Sequence, residues 1–244
     1  MKWIEPEWPA PAGVRAISTL RSGGFSQGPY HGLNLGLHVG DEADRVQRNR
    51  EQLETVLELP QSPFWLSQVH GHNVVEAGHG LLPEADASFT DQPGVVCGVM
   101  TADCLPILLT TRDGRQVAAV HAGWKGLAHG IVASTIKVMG TQDLMAWLGP
   151  AIGPKAFEVR EDLREVFLNL DQAFDQAFIR EGSEHFLANI ALIARMMLIE
   201  VGVNPDAIYG GHWCTHNQPA DFFSYRRDGT TGRMATLIWR TLDA

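Results

Sequence analysis

The sequence predicts an α/β (α+β) protein in which mixed sheets are covered by helices within one domain spanning residues 1–244. Three observations predict it. Apolar runs of strand length outnumber helical ones, neighbouring runs are often joined by short turns, and helical periodicity interrupts the series late. With 244 residues, 45% of them hydrophobic and 19% charged, the chain can bury the core of one large domain or two small ones. No repeat or low-complexity linker divides it, which favours one.

In order along the chain, Val14–Leu20 reads as a strand and is followed by a glycine-rich loop, Arg21 to Tyr30. Glu42–Leu59 reads as a helix: Asp41 can cap it, Val46, Leu53, Val56 and Leu57 give an apolar face, and Pro60 ends it. The middle is dense in strand signals, at Phe64–Val69, Asn73–Glu76, Ala85–Thr90, Val95–Thr101, Leu105–Thr110 and Gln116–His121. After Gly123 a helix is expected to about Met139, with Leu127, Ile131, Ile136 and Met139 at helical spacing. A strand at Leu144–Leu148, helices near Arg160–Leu170 and Glu184–Val203, and strands at Ala207–Gly210, Phe222–Tyr225 and Met234–Trp239 complete the series.

Composition excludes several classes of function. A net charge of −9 argues against a general nucleic-acid binder, which needs a basic stripe. Three scattered cysteines, Cys97, Cys104 and Cys214, describe no disulfide framework and fit a reducing cytoplasm. The start, Met1 to Pro6, carries a charge and a proline where a signal peptide needs an apolar run. The longest apolar stretch, Phe186–Val203, is interrupted by Asn189, Arg195 and Glu200, so it reads as an amphipathic core helix rather than a membrane span. No Gly-x-Gly-x-x-Gly or Gly-x-x-x-x-Gly-Lys-Ser/Thr pattern occurs, which argues against a dinucleotide enzyme or a P-loop ATPase.

The candidate chemistry lies where three strand signals break into turns: His70 in Ser67-Gln68-Val69-His70-Gly71, Cys104 in Thr101-Ala102-Asp103-Cys104-Leu105-Pro106, and His121 in Val120-His121-Ala122-Gly123-Trp124. Strand ends gather reactive groups because a rigid sheet aims them and a loop leaves room for a ligand. One thiolate and two imidazoles suit a zinc ion with a fourth position open. Each residue alone reads more readily as a core group, and no metal-binding spacing such as Cys-x-x-Cys is present. The shared setting, among Gly, Ala, Asp and Pro at the edges of apolar runs, brings the metal reading level with the core reading.

Longer motifs then point to a family. The segments around His70, Cys104 and His121, together with Ala85-Asp86-Ala87-Ser88, Leu148-Gly149-Pro150-Ala151-Ile152-Gly153-Pro154 and the stretch Phe222 to Ala235, resemble the bacterial YfiH family, also called laccase-domain, polyphenol oxidase or peptidoglycan editing factor proteins. The resemblance runs from about Arg21 to Trp239. It implies a four-layer α/β/β/α sandwich, and zinc held by residues matching His70, Cys104 and His121. It further implies purine nucleoside phosphorolysis, with adenosine deamination and methylthioadenosine cleavage.

The family names also record phenol oxidation with copper and correction of cell-wall precursors. Multicopper oxidation needs many paired histidines, and this chain has ten histidines and one His-x-His, His70-Gly71-His72. Copper is therefore expected only adventitiously, since copper(II) binds such ligands more tightly than zinc. Deamination at zinc needs a proton shuttle, for which Asp86 and Asp103 are candidates. Phosphorolysis needs cations for the phosphate, from Arg21, Lys125, Arg226 and Arg227. Gln68, on the same strand face as His70, and Asn34 and His38 in the loop before the first helix are further candidates for the pocket. His72 is an alternative ligand, and Glu158 is either catalytic or a helix cap. Cys97 reads as core, and Cys214 as pocket wall or structural. Two rivals remain: a metal-free cysteine hydrolase with Cys104 as nucleophile, and a non-catalytic partner of cell-wall proteins.

Overall fold

Alternate residues along the central apolar runs serve two different cores, and this alternation builds a layered molecule. In the computed structural model, which describes residues 1–79 and 82–242, the strands are β1 (Trp3–Ile4), β2 (Val14–Thr19), β3 (Val74–Glu76), β4 (Ala87–Thr90), β5 (Val96–Thr101), β6 (Leu105–Thr111), β7 (Val117–Ala122), β8 (Leu144–Leu148), β9 (Glu158–Arg160), β10 (Phe178–Glu181), β11 (His185–Ala188), β12 (Ile208–Gly210) and β13 (Met234–Arg240). The α-helices are α1 (Ala43–Val56), α2 (Trp124–Ala128), α3 (Ile131–Met139), α4 (Glu161–Leu168), α5 (Ile190–Glu200) and α6 (Tyr225–Asp228).

Leu105, Ile107 and Leu109 of β6 and Ala118, Val120 and Ala122 of β7 face a core completed by Leu127, Ile131, Ile136, Ile193 and Leu198 of the helices. The intervening residues Leu108, Val117, Ala119 and Trp147 face the other way, onto Val14, Cys97, Val99 and Ile238. Beyond these, Ile17, Val96, Ala235 and Leu237 pack on Leu53 of α1. The result is four layers: α1, a four-stranded sheet ordered β1-β2-β13-β5, a six-stranded sheet ordered β12-β8-β6-β7-β4-β3, and the helices α2, α3 and α5. The six-stranded sheet is mixed, with β12–β8 and β3–β4 parallel and its other pairs antiparallel, whereas the four-stranded sheet is antiparallel throughout. A third, small antiparallel sheet, β10-β11-β9, lies outside this stack. Among the described residues no helix is long and apolar enough to cross a membrane.

Strand register is what assembles the site. Leu105 pairs with Ala122 across β6–β7, and Ala87 pairs with Val120 across β4–β7. One step further, at the same end of the sheet, stand Cys104, His121 and Asp86, with the His121 amide donating to the Asp86 carbonyl at 2.7 Å.

Most expected elements form to within a residue or two, and the departures have local causes. Helix α1 starts at Ala43 with Glu42 in the cap position, and it stops at Val56, before Glu58 adopts a left-handed φ of 49°. The Asp41 carboxylate instead accepts from the Glu42 amide and from Asn34. Phe64–Val69 is irregular: Phe64 bridges to Cys97 of β5 and Ser67 to Glu84, and Gln68 reaches β5 through its side chain on Met100. The helix expected after Gly123 is broken by Gly130, at φ 84°, into α2 and α3. Glu184–Val203 divides: its first residues form β11, and α5 begins at Ile190, where the Asn189 side chain accepts from the Leu192 amide. Phe222–Tyr225 is not a strand, because the Ser224 hydroxyl accepts from the Arg227 amide and starts α6. Strand β1, at two residues, is too short for a periodicity argument, and β9 and β10 are short and largely polar.

Candidate active site

Asp86 organises the site from beneath. Its carboxylate is wholly buried and accepts from the backbone amides of Val69 (3.3 Å), His70 (2.9 Å) and Gly71 (2.7 Å), and from Nδ1 of His121 (2.7 Å). Burial raises its pKa, but the His121 hydrogen bond and the Gly71 and His70 amides outweigh that, so the group is held below its ordinary value and stays ionised. The three amides hold His70 in a left-handed conformation, φ 61°, that a non-glycine residue adopts only when its surroundings impose it. With Nδ1 of His121 bound to Asp86, its Nε2 is left to face the cleft.

Cys104 comes from the tight turn joining β5 to β6. Asp103, just before it, takes φ 91° and is pinned on three sides: Oδ1 accepts from the Thr215 hydroxyl (2.6 Å), Oδ2 from the Arg226 amide (2.7 Å), and its carbonyl from the Ile152 amide (2.9 Å). Gly123 stands opposite, where an added Cβ would lie 3.0 Å from the Cys104 sulfur and 3.2 Å from the His70 ring. A side chain there would press on both, and the sulfur and the ring would have to give by a few tenths of an ångström.

The ligand-type atoms of His70, Cys104 and His121 all lie within 4.8 Å of one another, and the Cys104 sulfur is 3.9 Å from Nε2 of His70. Among the described residues this is the one group of three or more His, Cys, Asp or Glu side chains so arranged. In the metal-free state, burial pushes the Cys104 thiol up, but the charge and hydrogen bond of His121, with help from His70, bring it down to about 6. Burial likewise lowers His121, while the Cys104 thiolate and Asp86 raise it to about 9. The two form a thiolate–imidazolium pair. An expected result follows for the metal-free protein: alkylation of Cys104 should rise through an apparent pKa of about 6. Cys97, buried and pushed up to about 12, should stay unmodified in the same titration, read by peptide mass. An alkylation curve for Cys104 centred near the ordinary thiol value would remove the pair.

The cleft above the trio is about 440 Å³ and is lined by His38, Gln68, Tyr225 and Arg233 as well as the three residues themselves. Gln68 is there as a fixed wall: its amide donates to the Met100 carbonyl (2.8 Å) and accepts from the Met100 amide (2.7 Å). Arg226 and Asp103 line a smaller adjoining chamber that shares Cys104. Four expected binding residues lie elsewhere. Arg21 donates to the Pro219 carbonyl and stacks on Phe223. Asn34 is fully buried and holds the Gly36 and Arg233 amides through its side-chain oxygen. Lys125 is exposed on α2 near the Trp124 ring, and Arg227 holds the carbonyls of Thr215, His216 and Phe222. His72 pairs with His129, away from the three clustered groups, and the Glu158 carboxylate meets His185. Cys214 accepts from the Gly153 amide, a structural role.

Sequence reasoning passed over Tyr225 and, more consequentially for charge, Arg233. It sits in the same motif as Arg226 and Arg227, and nothing in the local pattern separates the three; only the fold turns this one inward.

A family model described as "Multi-copper polyphenol oxidoreductase laccase" matches residues 15–241. Curated relatives include "Purine nucleoside phosphorylase YfiH" from Shigella flexneri, 50% identical over 242 residues, and that of Escherichia coli strain K12, 49% identical; each match spans 98% of both chains. The chain belongs to the YfiH family, the laccase-like domain. A crystal structure of a Neisseria meningitidis protein superposes with a TM-score of 0.95 at 47% identity, covering 99% of this chain and all of that one. YfiH of Bacillus licheniformis does so with 0.89 at 31% identity, over 93% of each. The family model's description speaks of several coppers, whereas this YfiH-family chain assembles one three-ligand centre among its described residues.

Proposed function

We propose that this chain is a purine nucleoside phosphorylase that acts on a nucleoside and inorganic phosphate in the cleft around Cys104, with zinc held by His70, Cys104 and His121. The observation that carries the reading is the convergence of these three ligands, with Asp86 bound to the far nitrogen of His121. The residues fit the ion: one thiolate and two imidazoles are a zinc donor set, and a carboxylate behind a ligating histidine fixes its tautomer and aim. Copper(II) would occupy the same ligands more tightly and so enters as a contaminant. When bound, zinc supplies Lewis-acid polarisation with one coordination position open.

The chain's own groups supply the rest. Arg233 places a guanidinium in the cleft, held by Nη1 on the carbonyls of Thr231 and Gly232, and its remaining donors suit a phosphate. Asn34 serves indirectly, by fixing the Arg233 backbone. Asp86 and Asp103 commit their carboxylate oxygens to internal hydrogen bonds, so both act as positioning groups. Proton transfer, which adenosine deamination also requires, then falls to His38 and Tyr225 of the cleft. Methylthioadenosine cleavage would use the same site. Three free cysteines and an acidic chain fit a cytoplasmic enzyme of small molecules rather than a binder of nucleic acid or membranes.

The test is product analysis. Inosine with phosphate should yield hypoxanthine and ribose 1-phosphate, inosine without phosphate should stay intact, and adenosine should be deaminated in either buffer. Phosphate-independent cleavage of inosine, or hydrolysis of a muramyl precursor with inosine untouched, would remove the phosphorylase reading in favour of cell-wall editing.

A further inference from the structure

The smaller chamber beside Cys104 differs in chemistry from the main cleft. It is a cavity of about 190 Å³ walled by Trp124, Ile152, Phe157 and Tyr225, with Arg226 also lining it. Flat aromatic and branched aliphatic walls suit a planar heteroaromatic ring, whereas the polar cleft with His38 and Arg233 suits a sugar and phosphate. Cys104, Ala102 and Tyr225 line both spaces, so a bond joining base to sugar would lie where they meet.

Arg226 is held at three points. Its amide is fixed by Asp103, Nη1 donates to the Glu158 carbonyl at 2.8 Å, and the guanidinium carbon lies 5.4 Å from the centroid of Phe157. A guanidinium only donates hydrogen bonds. A 6-oxopurine offers two adjacent acceptors, O6 and N7, that match this fork; a 6-aminopurine offers N7 beside a donor, which opposes it.

We propose that Arg226 is a specificity-determining residue that makes the aromatic chamber beside Cys104 a site for 6-oxopurine bases. The inference rests on the nucleoside reading above and names the base that site prefers. Under it, deamination of adenosine converts a poorly held base into a well held one.

The experiment is calorimetric binding of free hypoxanthine and free adenine, in phosphate buffer, to the wild-type protein and to Arg226→Gln and Arg226→Lys. Wild type should prefer hypoxanthine by roughly ten-fold to a hundred-fold, the range for a bidentate arginine–purine pair. Glutamine, which both donates and accepts, should reverse the preference; lysine, which keeps the charge but lacks the fork, should abolish it. Arg226 is exposed and outside the metal ligands, so metal content should match wild type in both variants, and melting temperature should fall only by the loss of the Glu158 and Phe157 contacts. Failure of both bases to bind, or an unchanged ratio in Arg226→Gln, overturns the inference. Inosine turnover reports separately: the expected ratios without phosphorolysis would remove the phosphorylase reading alone, and phosphorolysis with an unaltered ratio would remove the Arg226 assignment alone.

Discussion

Cys104→Ser should lose both its metal and its turnover. The sulfur is one of three converging ligands and the one that carries formal negative charge, its thiol lowered to about 6 beside His121. A serine hydroxyl at the same place does not ionise near neutral pH and leaves two histidines, too few for a structural or catalytic zinc site. Metal content after purification without added metal should fall to background, and phosphorolysis and deamination should fall with it to the detection limit. The same thiolate–imidazolium pair would also serve a cysteine nucleophile, so loss of activity alone does not separate the readings. The wild-type protein does: stripped by a chelator it should be inactive and recover with zinc. Full activity in the stripped enzyme, abolished by alkylation of Cys104, would decide for the cysteine hydrolase.

The central strands were legible because continuous apolar runs such as Leu105–Thr111 and Val117–Ala122 mark strands buried on both faces, whereas the stacking into four layers was implied only by the family resemblance. The trio was legible for a related reason: Cys104 and His121 end or adjoin such a run, and His70 follows an apolar run that is irregular in the fold. The side proposed to bind phosphate was not. Asn34, Lys125 and Arg227 share motifs with His38, His121 and Arg233, which do reach the cleft, yet a guanidinium can close a loop on backbone carbonyls as readily as it can bind a ligand. Arg227 does the first, with three carbonyls, while Arg233 six residues on faces the cleft. Which way each turns depends on Asp103 and Asn34, which tie segments more than one hundred residues apart in sequence. Helix breaks at Gly130 and at Asn189 were similarly hidden, because an apolar period continues across both.

Asp86 carries the second large effect. Asp86→Ala would leave three backbone amides and Nδ1 of His121 without their acceptor in a buried place. Each unsatisfied group costs about 1–3 kcal/mol, and loss of one partner of a buried ionic pair about 3–5 kcal/mol, so the alanine variant should be severely destabilised. Asp86→Asn is the milder variant that keeps the question answerable. It retains one acceptor but sets an NH₂ group against a donor, so it should fold with lower stability and bind zinc about 10–100-fold more weakly, as loss of a carboxylate behind a ligating histidine does. The pH profile of the metal-free protein carries a second signature. Asp86 is held below its ordinary value, so its contribution is present above the unfolded carboxylate pKa of about 3.9 and is lost as pH falls through the lower folded one. His121 works in the opposite sense: raised to about 9, it stabilises fully below the unfolded imidazole pKa, and that contribution fades as pH rises through 9. The Cys104 thiol is lowered as well, so its contribution is lost as pH falls through about 6. Melting temperature in chelator should therefore be highest between about 6 and 9, and Asp86→Asn should pull the alkaline limb to lower pH, because His121 loses one of the two groups that keep it charged. A variant with wild-type zinc affinity and an unshifted alkaline limb would show that Asp86 holds only the loop and not the histidine.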